Sequence, residues 1–258
     1  MGRVDVNAWV GDYPYRRLPA TAVADLLASM DAVRIDRAWV GSLPAAFRRD
    51  PAADNAALYQ AVAPHRDRLA PVPAVHPGLP RWERDLSEAA ERGATAIRAY
   101  PSQWGLAPAG EAMRHLAAAC AGLDLPLLLT VRFEDVRQRH PLDVAPDLEA
   151  SHVRGLLRAE PGLALVVAAA SRGLIEETHW GSTGDESGRV SWDVSHLWGP
   201  PEDEVAHLVA TIGAERLLLG THWPLRVMEA ALAKLELLDV PDEARHMIAG
   251  ENARRLEP

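Results

Sequence analysis

The chain has little sulfur and few small aromatic rings: one cysteine, Cys120, two phenylalanines and four tyrosines in 258 residues. A lone cysteine closes no internal disulfide, so a disulfide scaffold is excluded and a reducing, cytoplasmic setting is expected. Long apolar runs are also missing. The longest, Leu163 to Ala170, falls far short of the roughly 20 residues a membrane-spanning helix needs. Met1 to Val10 carries Arg3 and Asp5 and lacks the apolar stretch of a secretion signal. Positive charge is scarce: 27 Lys and Arg stand against 36 Asp and Glu, a net charge of −9. That balance argues against nucleic acid and anionic membranes as partners. Neither a G-x-G-x-x-G turn nor a phosphate-binding G-x-x-x-x-G-K loop is present, so no dinucleotide or nucleotide site is expected.

What is there is an ordinary soluble composition, 48% apolar and 24% charged, with eight tryptophans as the one excess. Short β-like runs alternate with helical patterns from end to end. Strands are expected at 3–10, 33–42, 69–75, 95–100, 125–131, 163–170, 190–198 and 216–222. Pro71 and Pro73 weaken the third, and 163–170 is apolar on both faces, as a buried parallel strand should be. Helices are expected at 20–30, 54–68, 80–92, 109–122, 146–159, 201–213, 225–238 and 241–256, the first carrying Val23, Leu26, Leu27 and Met30 at helical spacing. Residues 171–189 read as a short helix followed by a loop rich in Gly and Ser. Eight such units in 258 residues predict an α/β fold, a (β/α)8 TIM barrel forming one domain over 1–258, since such barrels take about 250 residues.

A barrel carries function at the C-terminal ends of its strands. Asn7 and Trp9 lie there on the first strand, Tyr100 and Trp104 at the fourth, Arg132 at the fifth with His140 beyond it. Arg172 follows the sixth strand, with His179 and Trp180 further along. Trp192, Asp193, Ser195, His196 and Trp198 belong to the seventh, Thr221, His222 and Trp223 to the eighth. Five tryptophans, Trp9, Trp104, Trp180, Trp198 and Trp223, thus fall near the expected mouth and suggest an aromatic-walled pocket for a planar ligand. His179 is read as structural. Arg132 and Arg172 are candidates for a substrate carboxylate, which guanidinium binds in bidentate fashion, or for salt bridges with Glu134, Asp135 or Glu176.

These segments resemble the amidohydrolase-related proteins of the metal-dependent hydrolase superfamily. DVNAWVG at 5–11 is similar to that family's first-strand D-x-H-x-H-x-G, and IRAYPSQWG at 97–105 to its fourth-strand segment. LLLGTHWP at 217–224 resembles its eighth-strand G-S/T-D-x-P, and ENARRL at 251–256 its terminal G-N-A-x-x-L helix. The resemblance implies a barrel enzyme: a hydrolase, lactonase or decarboxylase. It also implies a divalent metal held by the first-strand histidines, a histidine after the fifth strand, sometimes one after the sixth, and an Asp after the eighth. Here the first pair is Asn7 and Trp9, the fifth strand runs TVRFED, the sixth ends in AAASRG, and the eighth-strand Asp is His222. Trp cannot ligate a metal and an Asn amide is a poor zinc ligand.

The expectation is therefore a barrel without a metal or other cofactor. The alternative is a replacement zinc site built from His140, His196 and His222 with a water. His222 is expected to move the proton, because it stands where the family has its Asp and imidazole titrates near neutrality. Arg132 and Arg172 would fix an anionic group, His140 and His196 would assist, and Asn7, Trp9, Tyr100, Trp104, Trp198 and Trp223 would line the substrate site. The expected partner is a small carbonyl compound: a lactone, an amide or a carboxylated ring. A homo-oligomer is compatible with this, and a non-catalytic barrel that binds a ligand or a protein is the competing function.

Overall fold

The computed structural model describes residues 2–258, and its strands all run parallel. The eight are β1 (Arg3–Val10), β2 (Ile35–Ser42), β3 (Leu69–Pro71), β4 (Ile97–Ala99), β5 (Leu127–Thr130), β6 (Leu165–Ala168), β7 (Val190–Asp193) and β8 (Leu217–Leu218). They pair in sequence order as β1-β2-β3 and β4-β5-β6-β7-β8. Two parallel bridges close the ring: Ala74 to Arg98 between the β3 and β4 segments, and Ala8 to Trp223 between β1 and the chain beyond β8. This is the (β/α)8 barrel that the alternating pattern predicts.

The helices, beginning with α1 (Val23–Val33), α2 (Ala52–Val62), α3 (Trp82–Glu91) and α4 (Glu111–Gly122), follow from amphipathic spacing and from caps. Along α5 (Ala150–Ala159), Val153, Leu156 and Leu157 turn inward and are buried, the stripe a surface helix needs. After 171 the expected short helix forms as α6 (Arg172–Trp180), but the expected Gly- and Ser-rich loop holds a second short helix, α7 (Gly184–Gly188). Its cause is a capping box. Thr183 Oγ1 accepts the Glu186 N–H at 3.2 Å, and the Glu186 carboxylate accepts the Thr183 N–H at 2.9 Å; the T-x-x-E spacing is the sequence signal for it.

Period-two alternation sorts the barrel interior from its outer face. Leu128, Val166, Ala168 and Leu218 pack inside with Val4, Val6, Trp39 and Val72, while Leu127, Leu129, Leu165 and Val167 face the helices. A register irregularity between Asp5 and Ala8 shifts this parity on β1. Below it Val4 and Val6 point inward; above it Asn7 meets the side chains of Asp193, His222 and Arg98 inside the barrel, and Ala8 and Val10 face outward. A bulge that re-aims side chains at a barrel rim is a recurring device. Over this layer sits a third cluster of Trp9, Tyr13, Leu18, Leu43, Tyr100 and Phe133.

Three strands end at least four residues earlier than the pattern suggests. β3 stops at Pro71, with only Ala74 bridging onward to Arg98, because Pro71 and Pro73 have no N–H to give the ladder. β7 stops at Asp193 because its carboxylate takes the backbone N–H of Ser195 and pulls the chain into a turn closed by Leu197 N–H to Val194 O. Ser195, His196 and Trp198 therefore belong to a loop. β8 stops at Leu218, and the chain beyond it still pairs with β1 through Val6 N–H to Leu219 O, His222 N–H to Asn7 O and Trp9 N–H to Trp223 O. His222 breaks the extended run with a left-handed φ of 61°. Here α8 (Glu204–Ile212) packs after β7, and α9 (Met228–Leu237) after β8.

Candidate active site

The centre of the barrel mouth is a closed polar network organised by Asn7. Its carboxamide uses every donor and acceptor position it needs. Oδ1 accepts from both terminal nitrogens of Arg98, at 3.3 and 3.2 Å. Nδ2 donates to Asp193 Oδ2 at 2.5 Å and to His222 Nδ1 at 3.1 Å. His222 Nε2 lies 2.7 Å from the carbonyl of Phe133, so it carries the proton and donates there. Both ring nitrogens are thus engaged inside the protein, and the imidazole is the neutral Nε2–H tautomer. Asn7, Arg98, Asp193 and His222 are all 0% exposed.

Electrostatics follow from that burial. Desolvation pushes the Asp5 carboxyl up to about 6, although Thr221 donates to it from both its hydroxyl and its backbone. Asp193 is raised for the same reason. Desolvation holds the His222 imidazole down to about 3 and lowers the Arg98 guanidinium. Among the described residues Arg98 has no carboxylate ion pair of its own. Its charge rests on the Trp9 ring, 4.6 Å from the centroid, a cation–π placement, and faces Asp193 across Asn7. Glycine makes the room: a Cβ on Gly41 would stand 2.9 Å from Arg98 Nε, and one on Gly220 would collide with the Asp193 carboxylate.

The divalent metal implied by the resemblance can be tested against these donors. Trp9 offers none. Asn7 Oδ1 is taken by a guanidinium, and His222 has no lone pair left to give. A cation already stands beside Asn7. Among the described residues no group of three His, Cys, Asp or Glu is placed to hold a metal ion. The donor set at this position does not fit a divalent metal.

The structure brings together some of the expected site residues and separates others. His196 and His222 meet, ring centroids 4.6 Å apart and nearly perpendicular. Trp9 packs edge-on to His222 at 4.7 Å and donates through Nε1 to the Tyr100 hydroxyl at 3.1 Å. Trp223 is buried, but in the outer core between strands and helices rather than with the Trp9 and Tyr100 cluster, and Trp104 stacks on His76 at 4.4 Å. His140 does not join the other two histidines. It stacks on Tyr15 at 5.3 Å and accepts the Leu142 N–H, so the three-histidine zinc arrangement does not form. Arg172 pairs with Glu176 one turn along its own helix at 2.9 Å, a surface pair rather than a substrate clamp. Arg132 pairs with Asp147 at 2.9 Å and keeps Nε buried without a partner. Trp180 ends α6, away from the mouth, and is 72% exposed. Trp198 lies in the loop after β7, on the rim of a cavity.

His196 differs from His222 in one decisive respect. Ser195 Oγ donates to Asp193 Oδ1 at 2.9 Å and lies 3.2 Å from His196 Nδ1. The hydroxyl proton is spent on Asp193, so Nδ1 carries the imidazole proton and donates to Oγ. Nε2 keeps its lone pair, buried and without a partner among the described residues. Desolvation lowers the affinity of His196 for a proton, and the charges of Arg226, Arg132 and Lys234 push the same way.

Arg226 and Lys234 were not signalled by any motif, yet Lys234 is the only lysine in the sequence. Its Nζ donates to three carbonyls, Val194 O at 2.7 Å, Leu197 O at 2.9 Å and Ser195 O at 3.1 Å, and burial brings it down to about 8. It clamps the turn that carries Ser195 and His196. Replacing it by Met strips Leu197 O of its donor and leaves Val194 O with only the Leu197 N–H and Ser195 O with only the long bond from Arg226. Lys234→Met is expected to cost about 2–3 kcal/mol in urea unfolding; a loss under about 0.5 kcal/mol, the size of a neutral surface change, would remove the clamp from the account.

Residues 4–256 match the amidohydrolase family. The chain belongs to that family. No curated protein sequence matches it. Its fold is shared by solved family structures at low identity. A 2,6-dihydroxybenzoate decarboxylase from Rhizobium superposes with a TM-score of 0.74 at 18% identity, covering 99% of this chain and 98% of that one. A dihydroxybenzoic acid decarboxylase from a Polaromonas species, solved with bound manganese and 2-nitroresorcinol, gives 0.74 at 16% identity, covering 99% and 96%. A probable 2-pyrone-4,6-dicarboxylic acid hydrolase from Acinetobacter baumannii, with citric acid bound, gives 0.68 at 14% identity, covering 99% of each chain.

Proposed function

We propose that this amidohydrolase-family protein is an enzyme for a small anionic carbonyl compound, a lactone, an amide or a carboxylated ring, and that it works without a metal at the family position. The observation that carries this reading is His196 Nε2, a buried lone pair with no partner, on a ring oriented through Ser195 by Asp193. Such a nitrogen is built to take a proton from water or substrate. His222, which the family pattern favours for that role, has both nitrogens engaged and instead supports the network beneath. Arg226 and Arg132 supply positive charge near His196 and would hold the substrate's anionic group; as that group arrives it raises the proton affinity of the imidazole. The ligands bound in two of the solved structures, 2,6-dihydroxybenzoate and citric acid, are anionic carboxylates.

The test is a turnover screen of lactones, amides and aromatic acids, with metal content measured on protein purified without chelator. A substrate found this way should lose about 10²–10⁴-fold in kcat/KM on His196→Ala, while Arg226→Met should act mainly on KM. Near-stoichiometric zinc or manganese would sink the metal-free reading, and unchanged turnover in His196→Ala would remove His196. A ligand-binding barrel without turnover is the second reading. It is favoured by the filled centre, where Trp9, Arg98, Tyr100 and His222 are 0% exposed, and it predicts ligand affinity with no substrate converted.

A further inference from the structure

A cavity of about 290 Å³ opens between the loop after β7 and helix α9, beside the His196 loop. Its walls are apolar: Leu197, Trp198, Val227, Ala230 and Leu237. Three of these are large side chains left in solvent, Trp198 at 56%, Val227 at 65% and Leu237 at 68% exposed. Scattered apolar residues on a surface need no explanation, but several rimming one concave site mark a place for a ligand. Arg226 and Lys234 also line it. Neither makes an ion pair among the described residues. Lys234 spends its three protons on carbonyls, so it contributes charge and no open donor. Arg226 makes one long bond, Nη1 to Ser195 O at 3.4 Å, which leaves most of its guanidinium for a ligand.

We infer that this cavity is a binding subsite for an amphiphilic carboxylate, the carboxylate seated on Arg226 and an apolar tail lying along Trp198, Val227 and Leu237. Charge complementarity decides the class. A neutral apolar ligand would leave two uncompensated cations facing it, and an amine would be repelled by both. The subsite deepens the proposed function and rests on it only for the role of Arg226: substrates of this chain carry an apolar extension that leaves the barrel mouth toward α9 rather than lying wholly within it.

Calorimetric titration with acetate, butanoate and octanoate tests the inference directly and needs no turnover. Octanoate should bind, tightening about fourfold per added methylene, the equivalent of ~0.8 kcal/mol. Octylamine, with the same tail and opposite charge, should not. Val227→Asp and Leu237→Asp, both at exposed positions that leave folding intact, should weaken octanoate at least tenfold and butanoate little. Arg226→Met should weaken every acid. Equal affinity for acetate and octanoate would overturn the subsite while leaving Arg226 as an anion site; no binding of any acid would overturn both. Sedimentation showing a dimer that Val227→Asp dissociates would assign the patch to a second copy of the chain and overturn the subsite as well.

Discussion

Asn7→Ala should destabilise the barrel by about 3–5 kcal/mol, the usual cost of stripping partners from buried charges. Among the described residues the carboxamide alone hydrogen-bonds Arg98, Asp193 and His222 together. Alanine leaves a buried guanidinium, a buried carboxylate and a buried imidazole nitrogen facing a hole, and none of them reaches water. Asn7→Asp keeps the volume but sets a second carboxylate against Asp193, so it should not rescue. Urea unfolding followed by tryptophan fluorescence reads the loss. A change under about 1 kcal/mol, the size of one ordinary hydrogen bond, would mean that the network rearranges freely and that Asn7 is not its centre.

Acid should loosen the fold well before ordinary carboxylates protonate. His222 is held down to about 3 from 6.5. A depressed imidazole contributes stability that is whole above its unfolded value and is lost as pH falls toward the folded one, so the window runs from about 6.5 to 3. At ~1.4 kcal/mol per pH unit, His222 alone costs about 3 kcal/mol by pH 4.5. His196, lowered by the same burial, adds in the same direction. Asp5 and Asp193 act in the opposite sense: burial raises both carboxyls, Asp5 to about 6, so their protonation on the way down returns part of the loss. The net expectation is a fall of at most about 3 kcal/mol between pH 6.5 and 4.5, read from unfolding midpoints at each pH. His222→Asn is the informative variant, because Asn tolerates a left-handed φ and does not titrate. It should flatten the acid limb by one proton; an unchanged slope would place the acid sensitivity elsewhere.

Much of the barrel was legible because its strands and helices differ in period. Runs such as LALVVAAA and LPLLLTV, apolar on both faces, lie within a residue or two of β6 and β5. What escaped was local hydrogen bonding that outvotes pattern. The T-x-x-E box converted an expected loop into α7. The Asp193 carboxylate ended β7 before His196, and the bulge on β1 turned Asn7 inward. The site was legible to the level of residue type and no further. The replacement of metal-ligand positions by Asn7, Trp9 and His222 could be read from motifs. That Arg98 would sit beside Asn7, or that His222 would bond the Phe133 carbonyl while His196 stayed open, depends on which side chains face each other across the ring. Arg172 and His140 follow strand ends in the sequence, yet a helix turn and a tyrosine ring claim them.

The clamp on the His196 loop has a practical side. Lys234 is the only lysine in the chain, and its three carbonyl partners shield it only while the loop stays closed. Apart from the α-amino group, any amine-reactive label must therefore land on this one nitrogen. The mass increase after brief acylation becomes a clock for loop opening, and a ligand that locks the loop should slow it without any need to know the reaction.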